Sequence, residues 1–263
     1  MTAIGSSGAR QAFRPNWTVR LVWLLFALYV IYAAQVLDMS WARFVLGLEQ
    51  GGRFLGRLFP PHFTRWELLA DGLVESLQIA VIATVLGVLA SLPLGLMAAR
   101  NLMPWWVSTP ARVFIAVCRS FHPILVAIVF VKAIGFGALA GILALVVASL
   151  GFVAKLFAEA IEEISMKQVE AVRASGAPFL GVVAMGVLPQ VTARFIGFST
   201  YQLDSNLRNS TMVGIVGGGG IGGTLFAAFQ RFDYGFVCAI LIAIIALIMA
   251  GELIAARLRT MFQ

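Results

Sequence analysis

Hydrophobic residues in this chain come in long unbroken runs, not in the strict alternation of half-buried strands. Leu77 to Ala99 carries no charged residue, and neither does Phe236 to Gly251. Each run is near the roughly 20 residues that cross about 30 Å of hydrocarbon as a helix. Backbone groups in lipid must be satisfied within the segment, so the runs predict helices. Six spans follow, at about 20–37, 72–99, 108–131, 137–157, 180–203 and 235–256. The fold class is therefore an all-α polytopic membrane protein. A polar segment from Asp38 to Asp71 separates the first two spans. Gly51, Gly52, Pro60 and Pro61 are expected to divide it into turns and short amphipathic pieces. Residues 1–71 then form a tail, a first span and an outer segment, and residues 72–263 form the core.

Local signals refine this picture. Arg10, Arg14 and Arg20 precede the apolar run from Leu21 to Leu37, in the manner of a signal peptide. That run is long and no small-x-small cleavage site ends it, so an uncleaved first span is expected. Pro93, Pro123 and Pro189 fall inside spans, where each removes a helix hydrogen bond and favours a kink. Gly137 and Gly141 form a small-xxx-small pair that permits close helix approach.

Composition supports the membrane reading. The chain is 60% hydrophobic and 12% charged, against about 25% charged in a soluble domain. Its net charge is +7, but the basic residues flank apolar runs, which fits anchoring better than nucleic-acid binding. With both ends inside, ten basic residues lie inside, among them Arg10, Arg14, Arg100, Arg112, Lys155, Lys167, Arg173 and Arg259. Seven lie outside, a modest bias towards cytoplasmic termini. Cys118 and Cys238 sit in apolar runs and read as small buried hydrophobes.

Several chemistries are excluded. His62 and His122 are far apart, so no H-E-x-x-H zinc site exists, and no Gly-Lys pair exists to build a phosphate-binding loop for ATP. Gly218, Gly220 and Gly223 satisfy G-x-G-x-x-G formally, yet they lie between spans rather than after a strand. A tight glycine turn is the plainer reading. No cofactor or metal is expected in this chain, and it is not expected to be an enzyme.

The segment from Glu159 to Pro189 is polar and helical in pattern. Ile161, Ile164, Val169 and Val172 recur at helical spacing, and Gly176 can end the helix. Such a helix suits insertion into a groove on a partner, or equally a place in the membrane interface. Its order of Glu170-Ala171, Gly176 and Leu188-Pro189 resembles the EAA motif of ABC importer permeases, with Val172 where the motif often has alanine. More of the chain is similar to the phosphonate permease family. The blocks are Arg119-Ser120, the run from Lys155 to Glu163, Tyr201 with Asn206-Leu207-Arg208, and Val213 to Gly222. Phe121-His122-Pro123 departs from the Ile-Pro-Glu of many relatives.

The resemblance implies a type I permease fold and a cytoplasmic coupling helix at about 160–178. It implies coupling contacts at Glu163, Val169, Glu170, Ala171, Ser175, Gly176, Ala177, Leu188 and Pro189. The implied partners are a second permease copy, two cytoplasmic ATPases that hold ATP and Mg, a periplasmic binding protein and the lipid bilayer of the inner membrane. The implied cargo is phosphonate or a related oxyanion such as phosphite or hypophosphite. Arg119 and Arg194 are charges within spans, expensive unless they face a cavity or a partner. Arg119, Ser120, His122 and Arg194 are candidate path residues, with an ion pair of Arg119 or Arg194 to Asp204 as the structural alternative. Asn206, Arg208 and Gly218, Gly219 and Gly220 are expected on the outer side near substrate delivery. Rival functions are an importer of another solute such as methionine, an ion-driven transporter, and a scaffold subunit.

Overall fold

The computed structural model describes residues 17–37 and 39–262, with side chains described through Arg257. Arg10, Arg14, Asp38 and the Arg259 side chain lie outside the described residues. Among the described residues the secondary structure is helical, without strands. The chain forms two compact units that divide after Arg57.

The first unit contains α1 (Trp17–Val36) and nearly all of α2 (Trp41–Leu58). Helix α1 has no buried residue, and between Arg20 and Gln35 it is apolar on every side. Helix α2 runs on through Gly51 and Gly52 as one element of 18 residues, which corrects the expectation of short pieces. Two adjacent glycines weaken a helix by about 1 kcal/mol each. The residues around them hold it, with one strong amphipathic pattern along the whole length.

The second unit contains α3 (Trp66–Ala98), α4 (Trp105–Ser120), α5 (Pro123–Ile134), α6 (Ala138–Glu162), α7 (Met166–Ala174) and α8 (Phe179–Val182). A π-helical turn, Val183–Val187, leads into α9 (Leu188–Ile215), and α10 (Ile221–Gln230) and α11 (Tyr234–Phe262) follow. Five helical segments are long and apolar enough to cross a membrane, and the bent pair α4–α5 makes a sixth. The count of six agrees with the pattern of apolar runs. The third crossing differs in form, because α4 and α5 meet at 89° around Phe121 and His122. Pro123 is the cause at hand, since the residue before a proline is pushed out of the α region. His122 accordingly sits at φ −68°, ψ 141°.

Small residues let α3 and α6 approach closely and in parallel. A Cβ on Gly87 would fall 2.5 Å from the Ser149 Cβ, and one on Gly95 would fall 2.7 Å from the Phe157 ring. Helix α9 runs antiparallel to both. Phe195 packs on Phe157 at 4.9 Å between ring centroids, and Asn206 meets Thr84 and Ser149 further along. The unit thus has two distinct ends. One gathers Ala98 to Asn101, Arg112, Glu162 and α7. The other gathers the start of α3, the start of α6 and the glycine turn after α9. The span predicted at 180–203 continues to Ile215, three helical turns further, so Asp204 to Arg208 lie inside a helix.

Candidate functional site

The segment between α6 and α9 is built from a break in the chain. Helix α6 stops at Glu162, three residues turn, and α7 starts at Met166. The helix predicted at about 160–178 is therefore two elements joined by a turn, with its free part at Met166–Ala174. Val169 is fully buried in a cluster with Phe157, Ile161, Val182, Val187 and Val191. Lys167, Glu170, Ala171, Arg173 and Ala174 are exposed on the other faces. One buried valine roots a helix whose polar surface stays open to a partner.

Gln190 holds the start of α7. Its Oε1 accepts from the Ser165 N–H at 3.0 Å and its Nε2 donates to the Gly186 carbonyl at 2.6 Å. Ser165 and Gly186 are thereby tied to the foot of α9. The pair Leu188-Pro189 starts α9 just after the π turn, so the proline needs no N–H at that point. At the far end of α7, Gly176 has φ +79°, a conformation that side chains rarely adopt. Ser175 donates to the Val172 carbonyl at 2.7 Å, and Ala177 is half-buried beside the same cluster.

Ion pairs brace this end. Arg194 meets Glu163 at 2.5 Å, and both side chains are exposed. Arg112 meets Glu162 at 2.5 Å with both half-buried, and Glu162 also accepts from the Arg100 backbone N–H. Neither Arg194 nor Arg119 pairs with Asp204, which instead bonds Arg208 at 2.6 Å one turn along α9. The structural alternative of a pair to Asp204 is therefore not formed among the described residues. Arg194 stands at the α7 end because α9 begins there.

Arg119 ends α4, and its stem packs over Gly151. Its head opens on a cleft of about 210 Å³ with Arg112, Lys155 and Glu159 among the lining residues. Among the described residues Arg119 makes no ion pair, whereas Lys155 stands 3.4 Å from Glu159. The basic lining is a feature that reading Arg119 alone missed. The signal was available, since Arg112 and Arg119 lie seven residues apart on one helix face. Ser120 and His122 satisfy the bend itself. Ser120 donates to the Val117 carbonyl at 2.7 Å, and His122 Nδ1 accepts from the Ile124 N–H at 3.4 Å.

Asn206 is completely buried, which corrects its expected outer-facing position. Its Nδ2 donates to Thr84 at 2.9 Å and Ser149 at 2.8 Å, and its Oδ1 accepts from Gln202 at 3.0 Å. The side chain locks α3, α6 and α9 together midway along their length. Arg208, two residues on, is exposed.

The glycine run is a packed junction. Gly217, Gly219 and Gly220 all have positive φ. A side chain on Gly218 would collide with Val213, and one on Gly220 with Ser76. Gly137 donates to the Gly217 carbonyl at 2.9 Å, and the Ile221 N–H donates to Ser76 Oγ at 2.9 Å. Four elements meet here at backbone distance, at the end opposite α7.

A broken third crossing, a short helix between α6 and α9 rooted by one side chain, and a glycine junction at the opposite end define a multi-pass transport subunit. Residues 91–263 match the family described as "Binding-protein-dependent transport system inner membrane component", and the chain belongs to that family. The chain is 38% identical over 218 residues to the "Phosphite transport system permease protein PtxC" of Stutzerimonas stutzeri, covering 82% of this chain and 79% of that one. It is also 38% identical over 209 residues to the "Phosphate-import permease protein PhnE" of Mycolicibacterium smegmatis, where it covers 39% of the relative's length and 78% of its own. Among solved structures, the inward-facing MetNI methionine ABC transporter aligns with a TM-score of 0.66 at 24% identity, over 77% of this chain and 99% of that one. The chain is thus a permease of that inner-membrane transport family, with the fold of the solved methionine transporter's membrane subunit.

Proposed function

We propose that this permease carries a tetrahedral phosphorus oxyanion, with phosphonate and phosphite as the leading members, into the cytoplasm. The observation that carries the ATPase-driven part of this reading is α7, rooted by buried Val169 and open on its polar faces. Two such helices on a homodimer would engage two ATPases that hold ATP and Mg, and a periplasmic binding protein would deliver the anion. The names of the relatives support the cargo class. The end bearing α7 is then cytoplasmic, as are both termini.

The basic cleft supports the same class. Arg112 is held by Glu162 and Lys155 stands by Glu159, so the unpaired Arg119 guanidinium is the charge in this lining that favours an anion. A guanidinium forks well onto phosphorus-bound oxygens. Conduction requires that such contacts stay weak and brief, which suits a half-open cleft whose carboxylate competes for the same cations. Closing of the ATPases would draw the two α7 helices together and open the opposite end, and hydrolysis would reset the inward state.

Uptake into cells or proteoliposomes, with phosphonate, phosphite, hypophosphite, phosphate and methionine as competitors, tests the proposal. Competition by one or more phosphorus oxyanions and none by methionine is expected. Competition by methionine alone overturns the cargo assignment. Arg119→Gln should lower oxyanion uptake while assembly and ATP hydrolysis persist. Unchanged uptake removes Arg119 from the path.

A further inference from the structure

Helix α2 carries a feature that transport does not use. At 3.6 residues per turn, Trp41, Phe44, Val45, Leu48 and Leu55 fall within an arc of about 100°, the width of an apolar stripe. All five are exposed, from 47% at Val45 to 77% at Trp41. Arg43, Glu49, Gln50, Arg53 and Arg57 occupy the opposite arc, which Ala42 and Leu46 interrupt. Exposed apolar stripes rimmed by charge mark an interaction surface.

What covers the stripe follows from its neighbour. Helix α1 is apolar all round between Arg20 and Gln35, without a buried residue, and long enough to cross a bilayer. Only residues 37–40 separate its end from α2. Four extended residues reach at most about 14 Å, so α2 starts at the membrane boundary. Its first residue is a tryptophan, the residue type enriched at that depth. Three arginines against one glutamate give its polar arc a positive charge, the complement of anionic headgroups.

We propose that α2 lies in the plane of the membrane, with the Trp41–Leu55 stripe sunk to the level of the acyl boundary and the arginines at the lipid phosphates. A helix of this kind buries its apolar face about 5–10 Å deep. It tethers the chain to one leaflet and fixes the height at which the polypeptide leaves α1 for the transport core.

The test uses the full chain in phosphatidylethanolamine/phosphatidylglycerol vesicles. Cys118 and Cys238 are buried, so nitroxide labels can be attached to Leu48→Cys and Gln50→Cys variants with the wild-type chain as blank. The ratio of oxygen to nickel-chelate collisions should be roughly fivefold or more higher at position 48 than at 50, given that depth. Equal, water-like ratios at both positions overturn the proposal. So does shielding of position 48 from both reagents, which would place a protein, whether the binding protein or a second copy, on the stripe. Should either variant fold poorly, lipid-soluble carbene labelling of the wild-type chain gives the same decision. Marks at Phe44, Val45, Leu48 and Leu55 that spare Gln50 and Arg57 support the in-plane helix, and an unmarked α2 refutes it.

Discussion

Asn206→Ala probes the packing of the transport core most sharply. The substitution removes three side-chain hydrogen bonds at 2.8–3.0 Å, two of which join α9 to α3 and α6 while the third, from Gln202, lies within α9. Interhelical hydrogen bonds in membranes contribute about 0.6 kcal/mol on average and up to about 1.7. Ser149 keeps Gln202 as a partner at 3.0 Å. Thr84 keeps its own bond to the Ala80 carbonyl at 2.6 Å but loses its donor from α9. The net loss is therefore about 2–3 kcal/mol, below the sum of two maximal interhelical bonds. At a tenfold change per 1.4 kcal/mol, this shifts the folded equilibrium by about 30- to 150-fold. For a domain of this size it lowers the melting temperature by roughly 5–10 °C. Thermal unfolding of the purified protein in mild detergent measures it. Thr192→Ala serves as the control, since that exposed hydroxyl bonds only its own helix at the Leu188 carbonyl. Its change should stay within about 0.5 kcal/mol. If Asn206→Ala and Thr192→Ala melt together with the parent, the three-helix lock is wrong.

Other expectations follow from the two ends of the core. Gly222→Ala would push a methyl group into the Thr211 carbonyl, whereas Gly197 has open space around it. Size-exclusion profiles should therefore show loss of monodisperse protein for the first and none for Gly197→Ala. Glu162→Gln gives up the charge that holds Arg112 and accepts from the Arg100 N–H, which should cost about 1–3 kcal/mol on melting. Val169→Asp buries a carboxylate in the cluster under α7 and should destabilise by about 3 kcal/mol or more. Glu170→Arg alters only an exposed position, so melting should hold within about 0.5 kcal/mol while substrate-stimulated ATP hydrolysis falls.

The membrane class and the short helix between α6 and α9 were legible in the sequence because their signals are local. Charge-free runs of Leu77–Ala99 and Phe236–Gly251 can only be helices in lipid. The order of Glu170, Gly176 and Pro189 marks a helix, its end and the next beginning within twenty residues. What was missed depends on partners distant in the chain. Asn206 looked like an outward polar residue, because nothing near it announces Thr84 and Ser149 on two other helices. Three polar residues inside apolar spans, Thr84, Ser149 and Gln202, were the available hint, since each needs a partner in a membrane interior. The same polarity made α9 look shorter than it is. The right-angle bend at His122 was foreshadowed by Pro123, but a run of apolar residues carries no record of direction. Two glycines suggested a break in α2 that the surrounding amphipathic pattern overrides.

The central claim is that α7 is a cytoplasmic handle held by a separate ATPase. A photo-crosslinking residue placed at exposed Lys167 or Arg173, in membranes of cells that make the whole transporter, tests it directly. One dominant adduct to the ATPase subunit is expected, and none from the same probe at Gly135, at the opposite end. Adducts to the ATPase from Gly135, or to periplasmic protein from Lys167 or Arg173, would contradict it.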